Sequence, residues 1–172
     1  MKKIGRPTQE KNDTYFWIYI NKTEGKNLLK SLKKSKKALL KLIKKTPTEK
    51  GDYAYTDGKW SIKMVISHMI DTERIFAYRA LCISRGDTSD FPGFDQDEYV
   101  DKSNMENISL KDLSKEFEQV RDSTISLFKN MAESDIDIEG KASGLKMTPR
   151  TIGWKISGHV IHHTDILKER YM

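Results

Sequence analysis

Two histidines, His159 and His163, stand four residues apart in the run Gly158-His159-Val160-Ile161-His162-His163. A helix advances about 100° per residue, so both fall within about 40° of a stripe that also carries Ile152, Ile156, Ile166 and Arg170. Imidazoles one turn apart have Cβ atoms about 5–6 Å from each other and can reach one metal ion at about 2.0–2.1 Å. The competing reading is a pair of core histidines bonded to polar neighbours. His162 lies roughly 80° off the stripe and is the poorer ligand candidate.

The pair is not a zinc-protease motif, because Val160 occupies the position where that motif carries its glutamate base. A third imidazole is available from His68, on the edge of another helix face. Three neutral imidazoles leave the full charge on a metal, and an open fourth position then favours an anion, hydroxide or thiolate. Asp71 and Asp165 are near in sequence but not compellingly placed. Without a built-in base, the favoured chemistry is one in which the metal alone activates its ligand, as when a bound thiol becomes a thiolate. There is no phosphate loop and no dinucleotide-binding glycine fingerprint. Ser61 reads as a helix cap and Ser157 as a helix residue. Cys82 is fourteen residues from His68, about 21 Å along a helix axis, so the two cannot share a metal and Cys82 reads as core.

Four amphipathic helices would have to position these groups. Leu28, Leu29, Leu32, Leu39, Leu42 and Ile43 recur at three- and four-residue steps from about residue 24 to 45, and Pro47 ends that run. After a loop at 46–59, Ser61 opens a second helix that reaches Arg85 before Gly86. The connection 86–108 is long, acidic and aromatic, which marks an ordered, functional loop and permits parallel neighbours. A third helix follows Ser109 on Leu110, Leu113, Phe117, Val120, Thr124, Leu127 and Met131, an inner stripe without a titratable group. A further loop spans 132–148, and Thr148 with Pro149 then opens the fourth helix. The aromatic patch Tyr15 to Ile20 has strand-like composition, and residues 1–23 are expected to form an extended flap over the helices of a single domain. Trp154 and Ile161 lie within about 20° of each other, opposite the histidine stripe. They need a cover, either that flap or a second copy of the chain.

At 172 residues the chain suits one domain with a real core, and 33% charged with 37% hydrophobic residues suits a soluble helical protein. A lone cysteine fits a reducing compartment. No apolar run approaches a membrane span, and Lys2, Lys3 and Arg6 precede no apolar signal core, so a cytoplasmic location is expected. The net charge of +6 is concentrated in Lys33, Lys34, Lys36, Lys37, Lys41, Lys44 and Lys45. With no aromatic residue interleaved, that stripe reads as a solvated helix face rather than a nucleic-acid track.

Trp60-Ser61-Ile62-Lys63 with His68, the run Asp71 to Leu81, Pro92-Gly93-Phe94-Asp95-Gln96-Asp97, and Gly158 through Tyr171 together resemble the DinB/YfiT-like family, in the same element order over nearly the whole chain. The resemblance implies an all-α, four-helix up-down-down-up bundle holding a divalent metal on three histidines that map onto His68, His159 and His163; imidazole suits Zn, Ni, Cu and Fe alike, and Zn or Ni is the expected ion. It also implies thiol-dependent S-transferases, using bacillithiol, mycothiol or glutathione, or metal-dependent hydrolases, and it implies homodimers. Met64 stands where relatives often carry glutamate. The expectation is therefore a metal-dependent S-transferase joining a low-molecular-weight thiol to an electrophile. The alternatives are a hydrolase using metal-bound hydroxide and a metal-stabilised binding protein.

Overall fold

Side-chain caps start the four long helices. The chain is described by a computed structural model covering residues 3–8 and 14–172. Asn27 accepts from the Leu29 amide at the start of α2 (Leu28–Lys45). Ser61 accepts from Met64 ahead of α3 (Ile62–Ser84). Ser109 and Asp112 cap each other at the start of α5 (Leu110–Asn130), and Thr148 accepts from Thr151 at α6 (Pro149–Arg170). Each cap satisfies an amide that the first turn leaves without a helical partner. Met64 also turns its sulfur back to the Ser61 amide, taking the third-position role that glutamate fills in a capping box.

Contacts between the helices fix their directions. Ser31 and Ser35 of α2 both meet Ser157 of α6, whereas Gly153 lies against Leu28, so α2 and α6 run parallel. Lys36 reaches Glu118 and Asp122 of α5 while Leu28 lies near Phe128, so α2 and α5 run antiparallel. His68 of α3 meets His159 of α6, and Phe76 meets Lys155, which makes those two antiparallel. The result is an up-down-down-up four-helix bundle. Two apolar clusters fill it. One gathers Phe76, Ile83, Phe128 and Trp154, and the other Ile66, Met69, Leu113 and Phe117. Polar side chains from all four helices are buried as well: Ser31, Ser35, Thr72, Glu73, Arg121, Ser157, His68 and His159.

Three expectations are corrected. Tyr15 to Ile20 is not extended: it belongs to a short helix, α1 (Thr14–Ile20). An isolated strand there would leave its amides and carbonyls unpaired, whereas a helix satisfies them locally. It buries Phe16, Trp17 and Ile20 and leaves Tyr15 and Ile18 exposed. Residues 1–2 and 9–13 of the expected flap lie outside the described residues. The two long connections, expected as loops, carry short elements of their own. The first contains β1 (Asp90–Phe91) and α4 (Gln96–Lys102), and the second holds β2 (Gly140–Ala142) and β3 (Leu145–Met147). β1 pairs parallel with β2, and β2 pairs antiparallel with β3 around Ser143-Gly144, both at positive φ as a two-residue hairpin turn requires. Such short strands are invisible to periodicity. The inner face of α5 is also not free of charge, because Arg121 is fully buried there and bidentate to Glu73 at 2.7 Å for each bond. Arg121 further donates to the Leu32 carbonyl at 2.9 Å and to Ser35 at 2.6 Å.

Trp154 is covered by its own chain. Its indole N–H donates to the Gly5 carbonyl at 2.7 Å, and the Arg6 guanidinium lies 5.0 Å from its ring centre. Ile161 is half-buried in a groove between α2 and α6. No helix among the described residues is long and apolar enough to cross a membrane.

Candidate metal centre

His68 lies in the middle of α3, and His159 and His163 lie one turn apart on α6. Because the two helices run antiparallel in contact, the three rings meet. His159 Nε2 is 3.1 Å from His68 Nε2 and 3.1 Å from His163 Nε2. One potential ligand nitrogen from each of the three lies within 4.8 Å of the others. His68 and His159 are buried, whereas His163 is half-buried, so the cluster opens towards solvent on the His163 side. Trp60 packs on His68 with ring centres 4.9 Å apart, and Tyr19 of α1 packs on His159 at 5.2 Å.

His162 is turned away from the cluster, half-buried beside Tyr19 and His163 at ring separations of 5.5 and 5.0 Å. Asp71 is engaged by Arg74 and Asp165 by Lys168, and among the described residues no carboxylate joins the three histidines. Cys82 packs against the apolar cluster at the far end of α3. Arg170 is exposed and donates to the Tyr55 hydroxyl rather than following the histidine stripe inward.

All the site histidines are held neutral. Burial, followed by the charge of Lys155, pushes the His68 pKa down to about 4. Burial and the neighbouring imidazoles push His163 down to about 3. His159 is driven well down by the same causes. A neutral imidazole nitrogen carries either one proton or one lone pair, so His159 Nε2 cannot make two good hydrogen bonds to two other ring nitrogens. A cation between them could use all three lone pairs. Tetrahedral ligands at about 2.0–2.1 Å are themselves about 3.3 Å apart, close to the 3.1 Å separations seen here. The donor set therefore fits a divalent ion with an open coordination position.

Two neighbours of the cluster carry no signal in the apolar pattern. Lys155 sits one turn before His159 on α6 and is buried, and Thr72 sits one turn after His68 on α3. Counting back four residues from His159 finds the lysine, but a lysine at that position reads as a surface residue until the packing is known.

Residues 31–167 match the family model of the DinB superfamily. The fold is similar to that of YfiT from Bacillus subtilis, described as a probable metal-dependent hydrolase with an unusual four-helix bundle topology. The TM-score is 0.69 at 15% identity, covering 98% of this chain and 95% of that one. It is also similar to a DinB-like protein (yjoa) from Bacillus subtilis, with a TM-score of 0.59 at 18% identity, covering 82% of this chain and 86% of the other. No curated protein sequence matches the chain.

Proposed function

Because this chain belongs to the DinB superfamily, we propose that it is a metal-dependent enzyme in which His68, His159 and His163 hold a divalent cation, and that it transfers a low-molecular-weight thiol to an electrophilic small molecule. The observation that carries this reading is the convergence of three neutral imidazole nitrogens with no carboxylate among them. A divalent ion bound there would act as a Lewis acid that lowers the pKa of a coordinated thiol.

The protein's own contribution is to present unprotonated ligands and a dry wall. Burial keeps His68 and His163 deprotonated far below neutral pH, so no proton has to leave before a ligand is offered. Trp60 and Tyr19 flank the cluster on two sides and exclude water there, leaving entry past His163. Among the described residues no carboxylate joins the three histidines to serve as a base for bound water, which favours a thiol, since a thiol needs less help to ionise. YfiT, described as a probable metal-dependent hydrolase, supplies the competing reaction on the same fold.

Elemental analysis of purified protein, followed by monochlorobimane consumption with and without bacillithiol or glutathione, tests the proposal. The expected result is about one equivalent of a divalent metal and turnover that needs both thiol and metal. Metal-dependent turnover of esters or amides without thiol would replace transfer by hydrolysis. Bound metal with neither activity would leave a metal-stabilised binding protein.

A further inference from the structure

Lys155 is only 2% exposed. Its ammonium lies 3.1 Å from the ring centre of Phe76, with Tyr15 and Tyr19 at 5.5 and 5.6 Å. Among the described residues it has aromatic faces for neighbours and no carboxylate, and burial, followed by the charge of Arg79, pushes its pKa well below the ordinary lysine value. Arg79 is 5% exposed and spends one donor on the Pro92 carbonyl at 2.6 Å, and its guanidinium lies 4.9 Å from the centre of the same Phe76 ring. It too lacks an acidic partner among the described residues. Thr72 lies between His68 and Phe76 on one face of α3, a turn from each, and its hydroxyl is buried without a hydrogen-bond partner among the described residues.

Buried cations are ordinarily paired, because removing an ammonium or guanidinium from water carries a cost that cation–π contact offsets only in part. Here two stand on one phenylalanine, one helical turn from a cluster that itself fits a dication. An unsatisfied hydroxyl lies on the path between them. The region holds open donors and, among the described residues, no carboxylate to accept from them, so the Lys155 amine keeps its proton only where an anion joins it. An anion small enough to lie between Lys155 and the histidines would do so.

We propose that Lys155, backed by Arg79 and assisted by the Thr72 hydroxyl, forms a binding subsite for a carboxylate on the small molecule that reacts at the histidine cluster. This rests on the reading of that cluster as the reaction centre. A carboxylate accepts from both an ammonium and a hydroxyl, and a charge-assisted bond in a water-poor setting is the stronger kind. The carboxylate can belong to the thiol or to the electrophile. In either case it sets which molecules are bound in line with the metal position.

Calorimetric titration of metal-loaded protein with 3-mercaptopropionate and with 2-mercaptoethanol, a matched pair differing in the carboxylate, tests the thiol as its source. Steady-state kinetics with 4-maleimidobutyrate against N-ethylmaleimide test the electrophile. The expected result is at least a tenfold preference for the carboxylate member in one of the two arms, expressed in Kd for the thiol or in KM for the electrophile. In Lys155→Met that preference, read as the ratio within each pair, should fall to below threefold. The wild-type comparison stands without the variant, should Lys155→Met fold poorly. Equal affinity within each pair overturns the subsite. Metal-free protein titrated with butyrate and with 1-butanol separates the two readings. Butyrate binding without any thiol binding or metal retention would sink the transferase reading and keep an anion site at Lys155. Thiol binding that ignores the carboxylate would do the reverse.

Discussion

Gly158 of α6 and Tyr19 of α1 meet backbone to backbone: a Cβ on Gly158 would stand 2.0 Å from the Tyr19 carbonyl oxygen and 2.5 Å from its carbonyl carbon. No side chain fits in that space. The contact seats the short N-terminal helix directly beside His159, and Tyr19 then packs its ring on His159. Gly158→Ala should therefore push α1 off α6. The expected loss in urea-denaturation stability is about 1–3 kcal/mol, the usual cost of overpacking. Unchanged stability would mean that α1 is not held by this contact.

The division of labour among the histidines of α6 is testable by metal content. His163→Ala removes a nitrogen that lies 3.1 Å from His159 Nε2, and should remove most of the bound metal. His162→Ala removes a ring that packs on Tyr19, and should leave metal content near wild type. Elemental analysis of the two variants beside wild type decides it. Equal losses would contradict the assignment.

Acid sensitivity should begin near pH 6.5 in metal-free protein. In the unfolded chain a histidine titrates near 6.5, whereas burial lowers His68 to about 4 and His163 to about 3. Between those limits the unfolded state binds protons that the folded state refuses. The stability present above pH 6.5 is therefore lost as pH falls, by up to about 1.4 kcal/mol per unit for each histidine. Urea denaturation of EDTA-treated protein at pH 7.5, 6.0 and 5.0 covers a window above most carboxylate titration. A flat profile there would show that the imidazoles are not held neutral.

Glu73 and Arg121 are a buried bidentate pair, each with a side chain no more than 1% exposed. Arg121→Met leaves the Glu73 carboxylate buried without its partner, and should cost about 3–5 kcal/mol. Glu73→Leu combined with Arg121→Met removes both charges and should cost clearly less than the sum of the two single changes. The recovery stays incomplete because Ser35 and the Leu32 carbonyl also lose a donor. Strict additivity in chemical denaturation would rule out the coupling.

What the sequence determined by itself is what lies along a single helix. Leu110, Leu113 and Phe117 recur at three- and four-residue steps, Ser61, Ser109 and Thr148 stand where caps must stand, and His159 and His163 share a face because a turn is close to four residues. Local geometry fixes all of these, so they were legible before any contact was known. Helical phase left the third imidazole, His68, on the edge of its face, and the resemblance of the Trp60 to Leu81 and Gly158 to Tyr171 segments to a known family implied the same three ligands. Only the tertiary structure decided which faces meet. It turned an aromatic run of strand-like composition into α1, since a helix can satisfy its own backbone while a lone strand cannot. It buried Arg121 on a face that read as scaffold, because Glu73 arrives from another helix to pair with it. It placed Lys155 beside the histidines with no carboxylate partner among the described residues. Charge burial depends on neighbours distant in sequence, and the cost of removing an ion from water is set by what those neighbours bring, which no periodicity along one helix encodes.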